Sequence, residues 1–208
     1  SALSEHKKDM QLAAKWLVNS LKEAGLENVS IDETDGHPAV YADWLHAEGK
    51  PTILVYGHYD VQPVDPLELW DSAPFEPEVR ENKLYARGAS DDKGQVFMHI
   101  KAVEALMKNS GSLPVNVKFL IEGEEEVGSP NLEKYIVENK AKLAADVIVI
   151  SDTGMQGPGQ PAVCYGLRGL CGLQVDVQGA KGDLHSGLYG GCVQNPLHAI
   201  VDFLATFR

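Results

Sequence analysis

Three short apolar runs constrain this chain more than anything else in it: Pro51-Thr-Ile-Leu-Val-Tyr-Gly57, Val115 to Ile121, and Asp146 to Ile150. Each has the length of a strand and the near-continuous hydrophobicity of one buried on both faces. Between them lie stretches with helical spacing. One starts at Asp91 and carries Val96, Phe97, Ile100, Val103, Leu106 and Met107, with Gly111 and Pro114 to end it; the other runs from about Pro130 to Leu143. Strand, helix, strand, helix, strand predicts a three-layer α/β sheet. A first amphipathic helix from about Ser4 to Ala24, stopped by Gly25, covers that sheet, and Val29–Ile31 and Ala39–Leu45 add two strands. Val61 to Glu81 holds four of the eleven prolines and reads as a long ordered loop.

The character of the chain changes after Asp152. Thr153 to Pro161 is rich in Gly and Pro and reads as a domain edge. Leu173, Val175 and Val177 then alternate with polar residues, as in a strand with one wet face, and Pro196 opens a helix containing Ala199, Ile200, Phe203 and Leu204. One strand and one helix cannot bury a core alone, so this second unit is expected to be cut short.

The chemistry lies at the ends of the three apolar runs. His58-Tyr-Asp60 follows the first run, Glu124-Glu125-Glu126 the second and Ser151-Asp152 the third, while Asp91-Asp92 opens a helix. In open α/β sheets the carboxyl ends of the strands converge on ligands, so the four groups can meet at one edge. Taken singly, each has an ordinary structural explanation: a surface turn, a solvated acidic loop, a helix cap. Gathered together, the carboxylates would repel at a cost of several kcal/mol for each uncompensated buried charge. Bound cations remove that cost. Mixed imidazole and carboxylate donors suit Zn²⁺, with Mn²⁺ or Co²⁺ as substitutes, and so many carboxylates favour two ions over one. His-x-Asp on an extended segment places both side chains on one face, which lets Asp60 steady His58.

A net charge of -12, from 18 basic and 30 acidic residues, argues against nucleic acid or an anionic membrane as partner. The three cysteines lack Cys-x-x-Cys spacing, and the chain shows neither a leader-like segment nor an apolar run of about 18 to 20 residues. A soluble, cytoplasmic protein is expected.

At these residues the chain resembles the M20 family of metallopeptidases. The likeness is carried by Gly57-His-Tyr-Asp-Val-Gln-Pro63, Trp70 with Pro74-Phe-Glu-Pro77, Leu84-Tyr-Ala-Arg-Gly88 with Asp91-Asp-Lys-Gly94, and Glu122-Gly-Glu-Glu-Glu-Val-Gly-Ser129. Ser151-Asp152, Tyr165-Gly-Leu-Arg-Gly169 and Asp183-Leu-His-Ser-Gly-Leu-Tyr-Gly-Gly191 complete it. The last two motifs look closest to the carnosinase-like dipeptidases. The resemblance implies a three-layer αβα zinc-peptidase-like catalytic domain over residues 1–166 and the start of a small α+β lid and dimerisation domain over 167–208. It implies two divalent ions, with His58 and Asp152 on one, Glu126 on the other and Asp91 bridging. Glu125 would be the general base, Asp60 would orient His58, and the Asp91–Asp92 peptide would be cis. His185 would bind substrate from the lid of a dimer.

The family's last metal ligand is a histidine well beyond residue 208, so this chain is expected to be the N-terminal portion of a longer enzyme, one ligand short. The expected substrate is a dipeptide or small peptide. The alternatives are an N-acyl amino acid, cleaved by a deacylase or desuccinylase with the same centre, or no substrate at all for a catalytically incomplete metal-binding fragment.

Overall fold

The structure, a computed structural model, describes residues 1–207. It divides into two compact units, Ser1–Cys164 and Tyr165–Arg208. The first unit is built on helix α1 (Lys7–Glu23), strands β1 (Glu27–Asp32), β2 (Ala39–Trp44) and β3 (Thr52–His58), and a small hairpin of β4 (Glu78–Arg80) and β5 (Lys83–Tyr85). Helix α2 (Lys93–Ser110), strand β6 (Asn116–Glu122), helices α3 (Leu132–Glu138) and α4 (Lys140–Leu143) and strand β7 (Val147–Ile150) follow.

Five strands form one mixed sheet in the order β1-β2-β6-β3-β7. The β1–β2 and β2–β6 pairs are antiparallel, whereas β6–β3 and β3–β7 are parallel. The parallel trio positions the chemistry. In its register His58 lies beside Glu122 and Tyr56 beside Ile150, so the chain leaves all three strands at one edge of the sheet.

Side chains alternate across each strand and so divide the core into two layers. On one face Val55, Val117, Phe119 and Ile121 pack with Met10, Leu17 and Leu21 of α1 and Val96, Ile100 and Val103 of α2. On the other, Ala39, Tyr41, Leu54 and Leu120 pack with Tyr135 of α3 and Leu143 of α4. Helices on both faces make the three-layer α/β architecture that the apolar runs predict. Helix α2 ends as expected at Gly111, whose φ of 66° is left-handed and whose N–H reaches the carbonyl of Met107.

The structure corrects four expectations. The stretch from Val61 to Glu81 is not all loop, because β4 begins at Glu78 and pairs with β5 across a two-residue turn. Both turn residues, Glu81 and Asn82, have positive φ, the geometry that usually announces itself as Asn-Gly. The helix of 130–143 is broken at Asn139, whose side-chain amide donates to the carbonyl of Tyr135. Strand β7 is exposed instead of buried: it is the outer strand, paired only with β3, and Val147, Ile148 and Ile150 face solvent.

The fourth correction falls in the second unit, where Leu173–Val177 is not a strand. Alternation alone does not hold a strand without a neighbour to take its hydrogen bonds, and none pairs with it among the described residues. That unit contains the short helix α5 (Ser186–Tyr189) and α6 (Pro196–Leu204). In α6 Pro196 stands at the first turn and Asn195 Oδ1 accepts from the N–H of Leu197. Among the described residues no helix is long and apolar enough to cross a membrane.

Candidate metal centre

His58 is the last residue of β3 and forms the floor of the site, with only 1% of its surface exposed. Its Nε2 lies 3.1 Å from Asp91 Oδ1, 3.6 Å from Asp152 Oδ2 and 3.9 Å from Glu125 Oε2. Asp152 arrives from the end of β7, Asp91 from the segment before α2, and Glu125 from the turn after β6. Donor atoms of His58, Asp91 and Asp152 all lie within 4.8 Å of one another. The side chain of Asp91 is 58% exposed, so the cluster is open to solvent on that side and dry beneath.

Asp60 is wholly buried under this cluster. Its Oδ1 lies 3.2 Å from His58 Nδ1 and accepts from the N–H of Glu125 at 3.2 Å, while Oδ2 accepts from the N–H of Glu126 at 3.0 Å. One carboxylate therefore fixes both the imidazole and the backbone that carries the acidic triplet. Glu122 ties the same turn from below, accepting from Tyr56 and Ser129 hydroxyls. Glu124 is also buried, with Oε2 taking a hydrogen bond from Asn131.

Asp92 occupies the cap position of α2 without capping it. Its Oδ2 accepts from the His58 N–H at 3.1 Å, and its Oδ1 is buried with no hydrogen-bond partner among the described residues. The Asp91–Asp92 peptide is cis. A Cβ on Gly57 would stand 2.6 Å from Asp92 Oδ2 and from Val96, so only glycine there lets Asp92 reach the strand.

The electrostatics of this cluster call for positive charge. Burial pulls the His58 pKa down, but the hydrogen bond and charge of Asp60, with Asp92 and Glu125 beyond it, push it up to about 9. In the bare protein a proton on the imidazole supplies positive charge beside the carboxylates, and a metal ion held there would take that proton's place. Burial raises the pKa of Asp92 to about 6. Glu125 is also raised, first by burial and then by the negative charges of Asp152, Glu126 and Asp60, against the opposing pull of His58. An imidazole nitrogen with two carboxylate oxygens is a donor set for zinc-like divalent ions, and the residues present fit one.

Glu126 is not among the residues whose donor atoms meet. Glu126 turns to Gln62, taking its Oε1 bond from the Gln62 N–H at 3.1 Å and its Oε2 bond from the Gln62 side chain at 2.6 Å. His185 belongs to the second unit, where its Nδ1 accepts from the N–H of Gly187. Gln62, Gly57 and Asp92 were not singled out for these contacts by sequence. Gln62 and Gly57 lie inside the first motif, but nothing in a sequence shows which way a side chain turns.

Fold and site together define a class, an α/β protein with a candidate divalent-metal site at the carboxyl edge of its parallel strands. The chain belongs to peptidase family M20/M25/M40, whose model matches residues 54–202. Over 207 residues it is 34% identical to the cysteinylglycine-S-conjugate dipeptidase of Corynebacterium striatum, a match covering 99% of this chain and 45% of that one. It is 37% identical over 207 residues to the Beta-Ala-His dipeptidase of Mus musculus, covering 95% and 42%. The solved structure of the di-peptidase Dug1p from Saccharomyces cerevisiae superposes with a TM-score of 0.72 at 30% identity, covering 99% of this chain and 46% of that one. The chain thus spans less than half the length of these relatives.

Proposed function

We propose that the whole protein hydrolyses the amide bond of a dipeptide or similar small peptide at a centre of two divalent ions, zinc first among them. The observation that carries this reading is the meeting of His58, Asp91 and Asp152 at one imidazole nitrogen, with the Glu125 carboxylate 3.9 Å away. His58 and Asp152 would hold one ion, Glu126 the other, and Asp91 both. When bound, such ions activate a water and polarise the substrate carbonyl.

The chain's own residues do the rest. Asp60 holds His58 in one orientation by accepting a hydrogen bond from its Nδ1–H, which leaves Nε2 aimed at the carboxylates. Glu125, with its pKa raised, accepts a proton from the attacking water and passes it to the leaving amine nitrogen as the C–N bond breaks. Gln62 steadies the Glu126 carboxylate through two hydrogen bonds. His185 would contact substrate.

Dipeptide names among the relatives support this substrate class over N-acyl amino acids. In an assay of the purified full-length protein, dipeptides are cleaved faster than N-acetyl or N-succinyl amino acids. A chelator removes the activity, and Zn²⁺, Mn²⁺ or Co²⁺ restores it. Preference for the N-acyl substrates would move the reading to a deacylase, and activity undiminished by chelation would end it.

The protein is also read as a homodimer through its second unit, which exposes Leu167 and Leu170 almost fully and Leu173 in large part. Sedimentation of the full-length protein gives twice the monomer mass, and a monomer at micromolar concentration overturns this.

A further inference from the structure

Helix α2 touches the segments that carry Asp91 and Asp152. The Gln95 side-chain amide donates to the carbonyl of Ser90, directly before Asp91, at 2.7 Å, and lies 3.4 Å from the carbonyl of Thr153, directly after Asp152. One turn further along, His99 Nε2 lies 2.7 Å from Ser151 Oγ, directly before Asp152. Residues four apart share a helix face, so a single face of α2 grips Asp152 on both sides and Asp91 on one.

The orientation of Gln95 follows from chemistry. Both partners are carbonyl oxygens, which only accept, so the NH₂ group must face them and the oxygen must face away. That oxygen is buried and has no hydrogen-bond partner among the described residues. Leaving an amide oxygen unsatisfied is unfavourable, and the arrangement stands because the other end of the amide joins two segments.

The segments have reason to drift. Asp152 follows the outer strand β7, which has one neighbour and little cover, and its carboxylate shares the surroundings of His58 Nε2 with that of Asp91. Like charges so placed push apart whenever no cation lies between them.

We propose that Gln95 and His99 are positioning residues that hold the Asp91 and Asp152 carboxylates at the spacing a metal ion requires. The inference rests on the metal centre proposed above. Zinc titration of the purified protein by calorimetry at fixed pH tests it in Gln95→Ala, Gln95→Glu, His99→Ala, Ser151→Ala and the His99→Ala/Ser151→Ala double variant. Met98→Ala, on the exposed side of the same helix, is the control.

Zinc affinity falls about 10- to 100-fold in the Gln95 and His99 variants, the usual loss when a support of a metal ligand is removed. It is unchanged in Met98→Ala. Gln95→Glu loses at least as much as Gln95→Ala, because a carboxylate would face two carbonyls. The double variant loses no more than His99→Ala alone, since both changes cut one bond. His99→Gln, which can still bond Ser151, recovers part of the loss. Circular dichroism of the metal-free variants shows the native fold; where Gln95→Glu does not fold, Gln95→Met, of similar length and without a donor, decides.

Unaltered zinc affinity in folded Gln95 and His99 variants overturns the positioning role and leaves the metal centre standing. An equal loss in Met98→Ala overturns it as well. Failure of the unaltered protein to bind zinc overturns the centre and the positioning role together.

Discussion

Glu125→Ala lowers turnover by about 10²- to 10⁴-fold, the range supplied by a positioned general base, while zinc binding at His58, Asp91 and Asp152 persists. The separation follows from where the residue sits. Its carboxylate stands 3.9 Å from His58 Nε2, farther than that of Asp91 or Asp152, and is placed by its backbone N–H, which bonds to Asp60. Alanine keeps that N–H, so the turn after β6 stays in place and the ligands do not move. Glu125→Gln keeps the size and a hydrogen-bonding group, but it cannot take up a proton at neutral pH; its turnover falls as far as that of Glu125→Ala. Calorimetry with zinc and steady-state kinetics on the same preparations decide the matter. Retained turnover in metal-replete Glu125→Ala ends the base assignment, whereas loss of zinc affinity along with turnover makes Glu125 a ligand.

The parts of this arrangement that could be read in the sequence are those fixed by period and position. Three apolar runs announce parallel strands because a strand covered on both faces has few polar residues, and an imidazole or carboxylate just past such a run lies at the ligand edge by topology alone. His58 and Asp152 are of this kind, Asp91 enters at the start of a helix marked by its own period, and the structure brings the three together. The rest depends on contacts between segments distant in the chain. That Glu126 faces Gln62, that Asp92 bonds the strand instead of capping α2, and that Gln95 and His99 reach Ser90, Thr153 and Ser151 are outcomes of packing that leave no trace in local pattern. The exposure of β7 escapes for a related reason. A run of Val and Ile reads the same whether or not another layer covers it.

Asp60 is where the fold and the site depend on the same atoms, and its removal damages both. Asp60→Ala leaves the N–H groups of the half-buried Glu125 and Glu126 without their acceptors, and each such loss costs about 1 kcal/mol. It also frees the His58 ring, whose Nδ1 is then left with only the backbone oxygen of residue 60 at 3.2 Å. Zinc affinity falls about 10- to 100-fold as a result, and turnover falls with it. Asp60→Asn separates the two functions. Its oxygen can take the place of Oδ2, which sets the NH₂ against both the His58 ring and the Glu125 N–H, or the place of Oδ1, which sets the NH₂ against the Glu126 N–H alone. Stability recovers in part in either arrangement, whereas metal affinity stays low in the first and recovers in the second. Urea unfolding of the metal-free protein alongside zinc calorimetry reads both. Asp60→Ala with native stability and native zinc affinity would show that neither the turn nor the imidazole needs the carboxylate, against the three contacts that it makes.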